Sequence, residues 1–147
     1  MAKINILYGS VYGGAEALAE EIGRWLTDQQ HQTSVIESPQ ISDVTAPDCL
    51  LVITSTTGQG DIPGNLEPFF YTLRDQFPLL NAKPFAVIGM GDSSYGDTFC
   101  GAGEKWFELL CELQGKAIRP LLRIDATETL EPADEAMPWL KEWVNEI

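Results

Sequence analysis

A chain of 147 residues, 44% hydrophobic and 10% aromatic, can bury one sizeable core and is too short for two ordinary domains. With that aromatic content and 21% charged residues it is not an intrinsically disordered sequence. Its 22 acidic residues against 9 basic ones, net −13, repel nucleic acid and anionic membranes and favour basic partners.

The opening residues, "MAKINILYGS", lack the long apolar stretch of a secretion signal, and no segment reaches the length of a membrane span, which predicts a cytoplasmic protein. Cys49, Cys100 and Cys111 are odd in number, show no CxxC spacing and fit reduced thiols in that compartment. Ile4 to Tyr8 reads as a short apolar strand, and Ala15 to Leu26 as a helix with Leu18, Ile22 and Trp25 on one face. His31 lies in the polar turn "DQQHQT" and reads as a solvated loop histidine. It is the one histidine of the chain, so a two-histidine metal site is excluded and a Ser-His-Asp triad would have to use it.

"TSVIE" predicts a second strand, and "CLLVITST" a central strand buried on both faces, because its apolar run is continuous. "NLEPFFYTLRDQF" predicts a helix in which Pro68 is tolerable near the first turn. "PFAVIGMG" is another buried strand, and Glu104 to Leu113 a helix burying Trp106, Leu109, Leu110 and Leu113. "AIRPLLRID" is a fifth strand interrupted by Pro120, which suits a sheet edge or a bulge. "ADEAMPWLKEWVNEI" closes the chain as a helix starting or kinking near Pro138, and all four tryptophans fall on helical stripes that suit core packing. From Asp125 to the end there are seven acids against Lys141 alone, either a solvated surface or a docking face. Strand alternating with helix predicts one α/β domain over residues 1–147 with a parallel sheet and right-handed crossovers.

In such sheets ligands bind beyond the carboxyl ends of the strands, where the strand order reverses. The segments there are "GSVYGGA" after the first strand, "TSTTGQGDIPGN" after the third and "GMGDSSYGDTFCGAG" after the fourth. Gly9 and Gly14 have GxxxxG spacing, but Ala15 and Glu16 stand where a nucleotide triphosphatase needs Lys and Ser or Thr, so a triphosphate is left uncompensated. Backbone N–H groups at a helix N-terminus can still hold one compact dianion, which points to a phosphomonoester at the end of a larger ligand. "GMGDSS" lacks the third glycine of a dinucleotide fingerprint and follows the fourth strand. "GDSSYG" is not GxSxG, and the strand ends "LYGS" and "VITST" lack the acids of a phospho-receiver domain.

"YGSVYGGAEALAEE", "TSTTGQGD" and "GMGDSSYGDTFCGAG" resemble the three FMN-binding loops of flavodoxins, over the whole chain and without the insertion of long-chain members. The likeness is to short-chain flavodoxins, with the "YGGAE" loop closest to the MioC-like subgroup. The resemblance implies a three-layer α/β sandwich with a five-stranded parallel sheet in the order 2-1-3-4-5 and a non-covalent FMN. Carried over by position, Ser10, Val11, Tyr12, Gly13, Gly14 and Ala15 would surround the phosphate. Ser55, Thr56, Thr57, Gly58 and Gln59 would pass the inner side of the isoalloxazine. Met90, Gly91, Asp92 and Tyr95, with Phe99 and Cys100, would supply the outer wall and pyrimidine contacts.

Val11 and Ala15 replace the family's usual threonines, and Thr57 stands where many members place an aromatic ring, leaving Tyr95 as the stacking residue. Between Tyr95 and Phe99 this chain has one residue more than members reading "SSYEYFC". The family's peptide flip toward flavin N5 would fall on Gly58–Gln59, where Gly58 has no Cβ to oppose it. The resemblance implies a monomeric electron carrier shuttling electrons one at a time between a reductase and acceptor redox proteins, with basic partners and neither nucleic acid nor membrane. No catalytic residue and no metal ligand is expected. The other function open at this point is a flavodoxin-fold binding or regulatory module with weak or no FMN.

Overall fold

The computed structural model describes residues 2–10, 13–56, 60–91, 100–125 and 131–147. Successive side chains of a strand point to opposite faces of the sheet, and that alternation decides which helix covers which face. β1 (Lys3–Gly9), β3 (Cys49–Thr54) and β4 (Pro84–Gly91) send Ile4, Ile6, Leu51, Ile53, Ala86 and Ile88 to one side. There α1 (Gly14–Asp28) and α5 (Pro132–Glu146) bury Leu18, Ile22, Leu26, Leu140 and Trp143 against them. Leu7, Leu50, Val52, Phe85 and Val87 face the other way. They pack beneath Val44 of α2 (Ile41–Thr45), Phe69, Phe70 and Leu73 of α3 (Glu67–Gln76), and Trp106 and Leu110 of α4 (Gly101–Glu112).

Every strand pairing is parallel, and β2 (Gln32–Ile36) lies on the outer side of β1, giving the path β2-β1-β3-β4. Two short segments share the fifth position. β5 (Lys116–Ala117) pairs with Pro84 and Phe85, and β6 (Leu122–Asp125) pairs with Ile88 to Gly91. The expected interruption at Pro120 lies between them, because a residue without an N–H cannot continue the ladder. Beside it Arg119 reaches across to α5, with its guanidinium 2.6 Å from Glu142 Oε2 and 3.9 Å from Glu146 Oε1. The order is that of the flavodoxin-like sheet expected from the loops.

Several elements differ from the expectation in instructive ways. α2 is not anticipated by the pattern, since five residues carry no helical period. It forms because Asp43 Oδ2 accepts the Gln40 N–H at 2.7 Å as half of a capping box, and because buried Asn5 donates its side-chain amide to the Asp43 carbonyl at 2.9 Å. Lys83 Nζ then donates to the carbonyls of Thr45 and Pro47 at its other end. α4 starts at Gly101 rather than Glu104, and α5 starts at Pro132 and runs through Pro138. Pro132 suits a first turn, where its missing N–H would be unpaired anyway. Pro68 lies in the first turn of α3, as expected. Trp106 and Trp143 are fully buried, while Trp25 and Trp139 are half-buried against the same core as Trp143. His31 is a loop residue but not a free one, its Nδ1 accepting the Ala2 N–H at 3.0 Å. No helix among the described residues is long and apolar enough to cross a membrane.

Candidate functional site

The register of the sheet brings three strand ends level: Gly9 lies opposite Thr54, Thr54 opposite Gly89, and Gly91 opposite Asp125. β2 and β3 flank β1 on opposite sides, so the order reverses between β1 and β3, where the crevice of such a sheet opens. At that reversal the chain segments are sewn together. The Ser55 N–H and Oγ both donate to the Gly9 carbonyl, at 2.9 and 3.2 Å, and Thr54 Oγ1 donates to the Ser55 carbonyl at 2.9 Å.

The first loop turns into α1 through Gly13, whose φ of +88° belongs to glycine and whose missing side chain would face open space. Its N–H donates to Ser10 Oγ at 2.9 Å, and the Ser10 N–H donates to Asn65 Oδ1 at 3.1 Å. The Asn65 amide in turn donates to the carbonyls of Tyr8 at 2.8 Å and Glu37 at 3.0 Å. The helical pattern presents Asn65 only as the start of a helix and gives no hint of its function in the site. The available signal is an amide, able to donate and accept at once, just ahead of an apolar helical run.

The first helical bond of α1 runs from the Ala17 N–H to the Gly13 carbonyl at 2.9 Å. The N–H groups of Gly14, Ala15 and Glu16 therefore have no acceptor among the described residues. The Ala15 side chain is fully buried in the core, so this residue offers the site its N–H and nothing else. The Tyr8 hydroxyl, on a buried ring beneath α1, donates to Glu16 Oε2 at 2.8 Å. Burial raises the Tyr8 pKa first, and the hydrogen bond and charge of Glu16, with the charges of Glu37 and Glu20, raise it further.

The second and third loops meet backbone to backbone. A Cβ on Gly101 would lie 2.6 Å from the Gly60 Cα, and one on Gly103 would lie 2.9 Å from the Gly89 Cα. The Ala102 N–H donates to Thr56 Oγ1 at 3.3 Å. Cys100, with φ of +58°, precedes α4 as its N-cap residue and is fully buried, its thiol donating to the Gly89 carbonyl at 3.3 Å. Burial pushes the Cys100 thiol up from 9.0 to about 11. Met90 is 9% exposed and packs into the core beneath α1, and Gly91 is half-buried at the end of β4. Thus Ser10, Gly13, Gly14, Ala15, Ser55, Thr56, Met90, Gly91 and Cys100 come together at one end of the sheet. Val11, Tyr12, Thr57, Gly58, Gln59, Asp92, Tyr95 and Phe99 lie outside the described residues.

A doubly wound parallel sheet in the order β2-β1-β3-β4-β5, with backbone N–H groups and hydroxyls gathered at its switch point, defines an α/β protein of the flavodoxin-like class. Residues 6–139 match the flavodoxin family model, and the chain belongs to the flavodoxin family. It is 39% identical over 145 residues to flavodoxin YqcA of Escherichia coli (strain K12), covering 97% of each chain. It is 41% identical over 145 residues to protein MioC of the same organism, covering 99% of this chain and 98% of that one. Among solved structures, a cysteine-to-serine mutant of flavodoxin from Pseudomonas aeruginosa matches with a TM-score of 0.90 at 45% identity, over 96% of this chain and 95% of that one. Both the family and the short-chain, MioC-like character carried by the three loop motifs are those found.

Proposed function

We propose that this chain binds FMN non-covalently at the switch point and carries electrons between a reductase and acceptor redox proteins. The observation that supports this reading most directly is the cradle at α1. Among the described residues the successive N–H groups of Gly14, Ala15 and Glu16 have no acceptor at a helix N-terminus beside Ser10, and nothing lies within 4 Å of the Cβ position of Gly13. That donor set fits the phosphate of FMN, a compact dianion that a helix N-terminus can hold without a lysine or arginine. Bound flavin supplies one- and two-electron transfer, and the protein supplies binding and orientation.

Ser10 and the first-turn N–H groups would hold the phosphate. Ser55 and Thr56 would lie on one side of the ring system and the backbone at Gly91 on the other, because the Met90 side chain, expected in the outer wall, packs into the core beneath α1 instead. The Gly60–Gly101 contact joins the end of the second loop to the start of α4. The −13 net charge favours basic redox partners.

Titration of the apoprotein tests the reading. FMN should bind at least about tenfold more tightly than riboflavin, the equivalent of roughly 1.4 kcal/mol from the phosphate end. Equal affinities would remove the cradle from the account. Reduction by a basic reductase should slow steeply between low and physiological salt, and rates independent of salt would leave the acids as solubility features. The second reading, a binding module with weak or no FMN, draws on Val11 and Ala15 at the family's threonine positions and on Thr57 where many members place an aromatic ring, and a purified chain without flavin colour would favour it.

A further inference from the structure

Glu16 occupies the third position of α1, and a carboxylate there ordinarily folds back onto the N–H groups of its own helix N-terminus. Asp43 does so in α2, at the same third position, by accepting the Gln40 N–H at 2.7 Å. Glu16 does not. Its Oε2 is held by the Tyr8 hydroxyl at 2.8 Å, and the N-cap Gly13 has no side-chain cap. Instead the Gly13 N–H is taken by Ser10 Oγ. In α2 the third-position carboxylate caps its own helix, whereas in α1 a serine hydroxyl takes the N-cap N–H and the carboxylate is held aside by Tyr8.

We propose that Tyr8 is a positioning residue for the anion cradle: its hydroxyl holds the Glu16 carboxylate off the N-terminus of α1 and keeps that terminus free for a phosphomonoester. The inference rests on the proposed FMN reading, because it concerns the phosphate end of that site. Tyr8 is suited to the task by its burial. Its ring is fixed in the core beneath α1, so the hydroxyl can meet the carboxylate at one place, and the O–H···carboxylate bond is of the strong, charge-assisted kind. A carboxylate released from it has the open N–H groups of Gly14 and Ala15 in its own first turn and adds a negative charge where the phosphate sits. Glu20 and Glu37, the other charges acting on Tyr8, are carboxylates as well and offer a released Glu16 no counter-charge.

The test is a set of dissociation constants for FMN and riboflavin with wild type, Tyr8→Phe, Glu16→Gln and the double variant, each checked for cooperative unfolding. Tyr8→Phe should weaken FMN by roughly 3- to 30-fold, the range that one charge at a helix N-terminus commands, and leave riboflavin within about twofold. In the Glu16→Gln background the same Tyr8→Phe change should no longer distinguish FMN from riboflavin. A Tyr8→Phe loss shared equally by both ligands, or one that persists in the double variant, overturns the proposal. Glu16→Gln requires no repacking of the core and decides the matter if Tyr8→Phe does not fold. FMN affinity unchanged or higher supports the proposal, and a loss specific to FMN overturns it. Wild type binding both ligands equally would defeat the phosphate reading itself, whereas a discriminating wild type with an equally discriminating Tyr8→Phe defeats the clamp and leaves that reading standing.

Discussion

Replacing Gly101 by alanine probes whether the second and third loops are held by direct backbone contact. The new Cβ would lie 2.6 Å from the Gly60 Cα and 3.1 Å from the Gly60 oxygen. That is about 1 Å inside the optimal carbon–carbon separation of roughly 3.5–4.0 Å. Neither neighbour is the far end of a flexible side chain, so relief requires Gly60, itself at φ of +91°, or the first turn of α4 to move. Overpacking of a tight contact costs about 1–3 kcal/mol, and a backbone-on-backbone clash belongs at the upper end, about 2–3 kcal/mol. Because α4 begins there, the displacement also spreads the Thr56 hydroxyl from the Ala102 N–H that donates to it at 3.3 Å. Urea unfolding of the apoprotein should show the loss as a lower midpoint with an unchanged slope, and FMN titration should show weaker binding. Gly64→Ala is the internal control. Nothing lies within 4 Å of its Cβ position and its φ is not in the left-handed region, so that variant should be neutral or more stable by about 0.4–1 kcal/mol. A Gly101→Ala protein within about 0.5 kcal/mol of wild type, binding FMN as well, would refute the contact as the element that joins the two loops.

Asn65→Ala removes three hydrogen bonds that join Tyr8, Ser10 and Glu37, and should destabilise the chain by about 1–3 kcal/mol and weaken FMN. Asn65→Asp should be worse, since a carboxylate cannot donate to the two carbonyls it would face, and equal urea midpoints for Asp and wild type would refute the bridge. Stability should fall as pH rises from about 9 toward 11. Burial holds the Cys100 thiol up near 11 in the folded chain, while the unfolded thiol loses its proton near 9.0. At this thiol the folded state then binds more protons than the unfolded one, which makes its contribution to the slope of stability against pH negative across that window, with Cys49, Cys111 and Tyr8 acting in the same direction and Lys83, lowered by burial, against them. Cys100→Ser should give a shallower decline in urea midpoints between about pH 8 and 11, and identical slopes would remove Cys100 from the linkage.

Residues 49–53 and 84–91 announce themselves as strands because both of their faces are buried, so nothing polar interrupts the apolar run. The stripe Leu18, Ile22, Trp25 points to the inward face of α1 for the converse reason, since its other faces meet water, although Leu26 and not Trp25 is the fully buried residue of that turn. The start of α4 is hidden by "GAG", a glycine pattern that reads as loop. Those glycines are helical because Gly101 meets Gly60 and Gly103 meets Gly89 with no room for a side chain, a tertiary requirement that overrides propensity. α2 is one turn long and depends on Asn5, which is 38 residues away from its Asp43 partner. Asn65 acts on Ser10 and Tyr8 across separations of 55 and 57 residues, and no local pattern records such a bond. Tyr8 looks like one more apolar residue of β1, and its polar tip acquires meaning once α1 is laid over it.

The break at Pro120 has a consequence for how this protein behaves when crowded. The outer side of the sheet at that end presents a two-residue strand, an exposed proline without an N–H, and a four-residue strand, with Arg119 between them tied by ion pairs to the carboxylates of α5. A strand from another molecule needs an uninterrupted row of N–H and C=O groups to add to, and blunt, charged, proline-bearing margins deny it one. A second copy arriving there meets a guanidinium and two carboxylates in place of a template. The same residue that divides the last strand thus guards a concentrated solution of the protein against fibrous self-association.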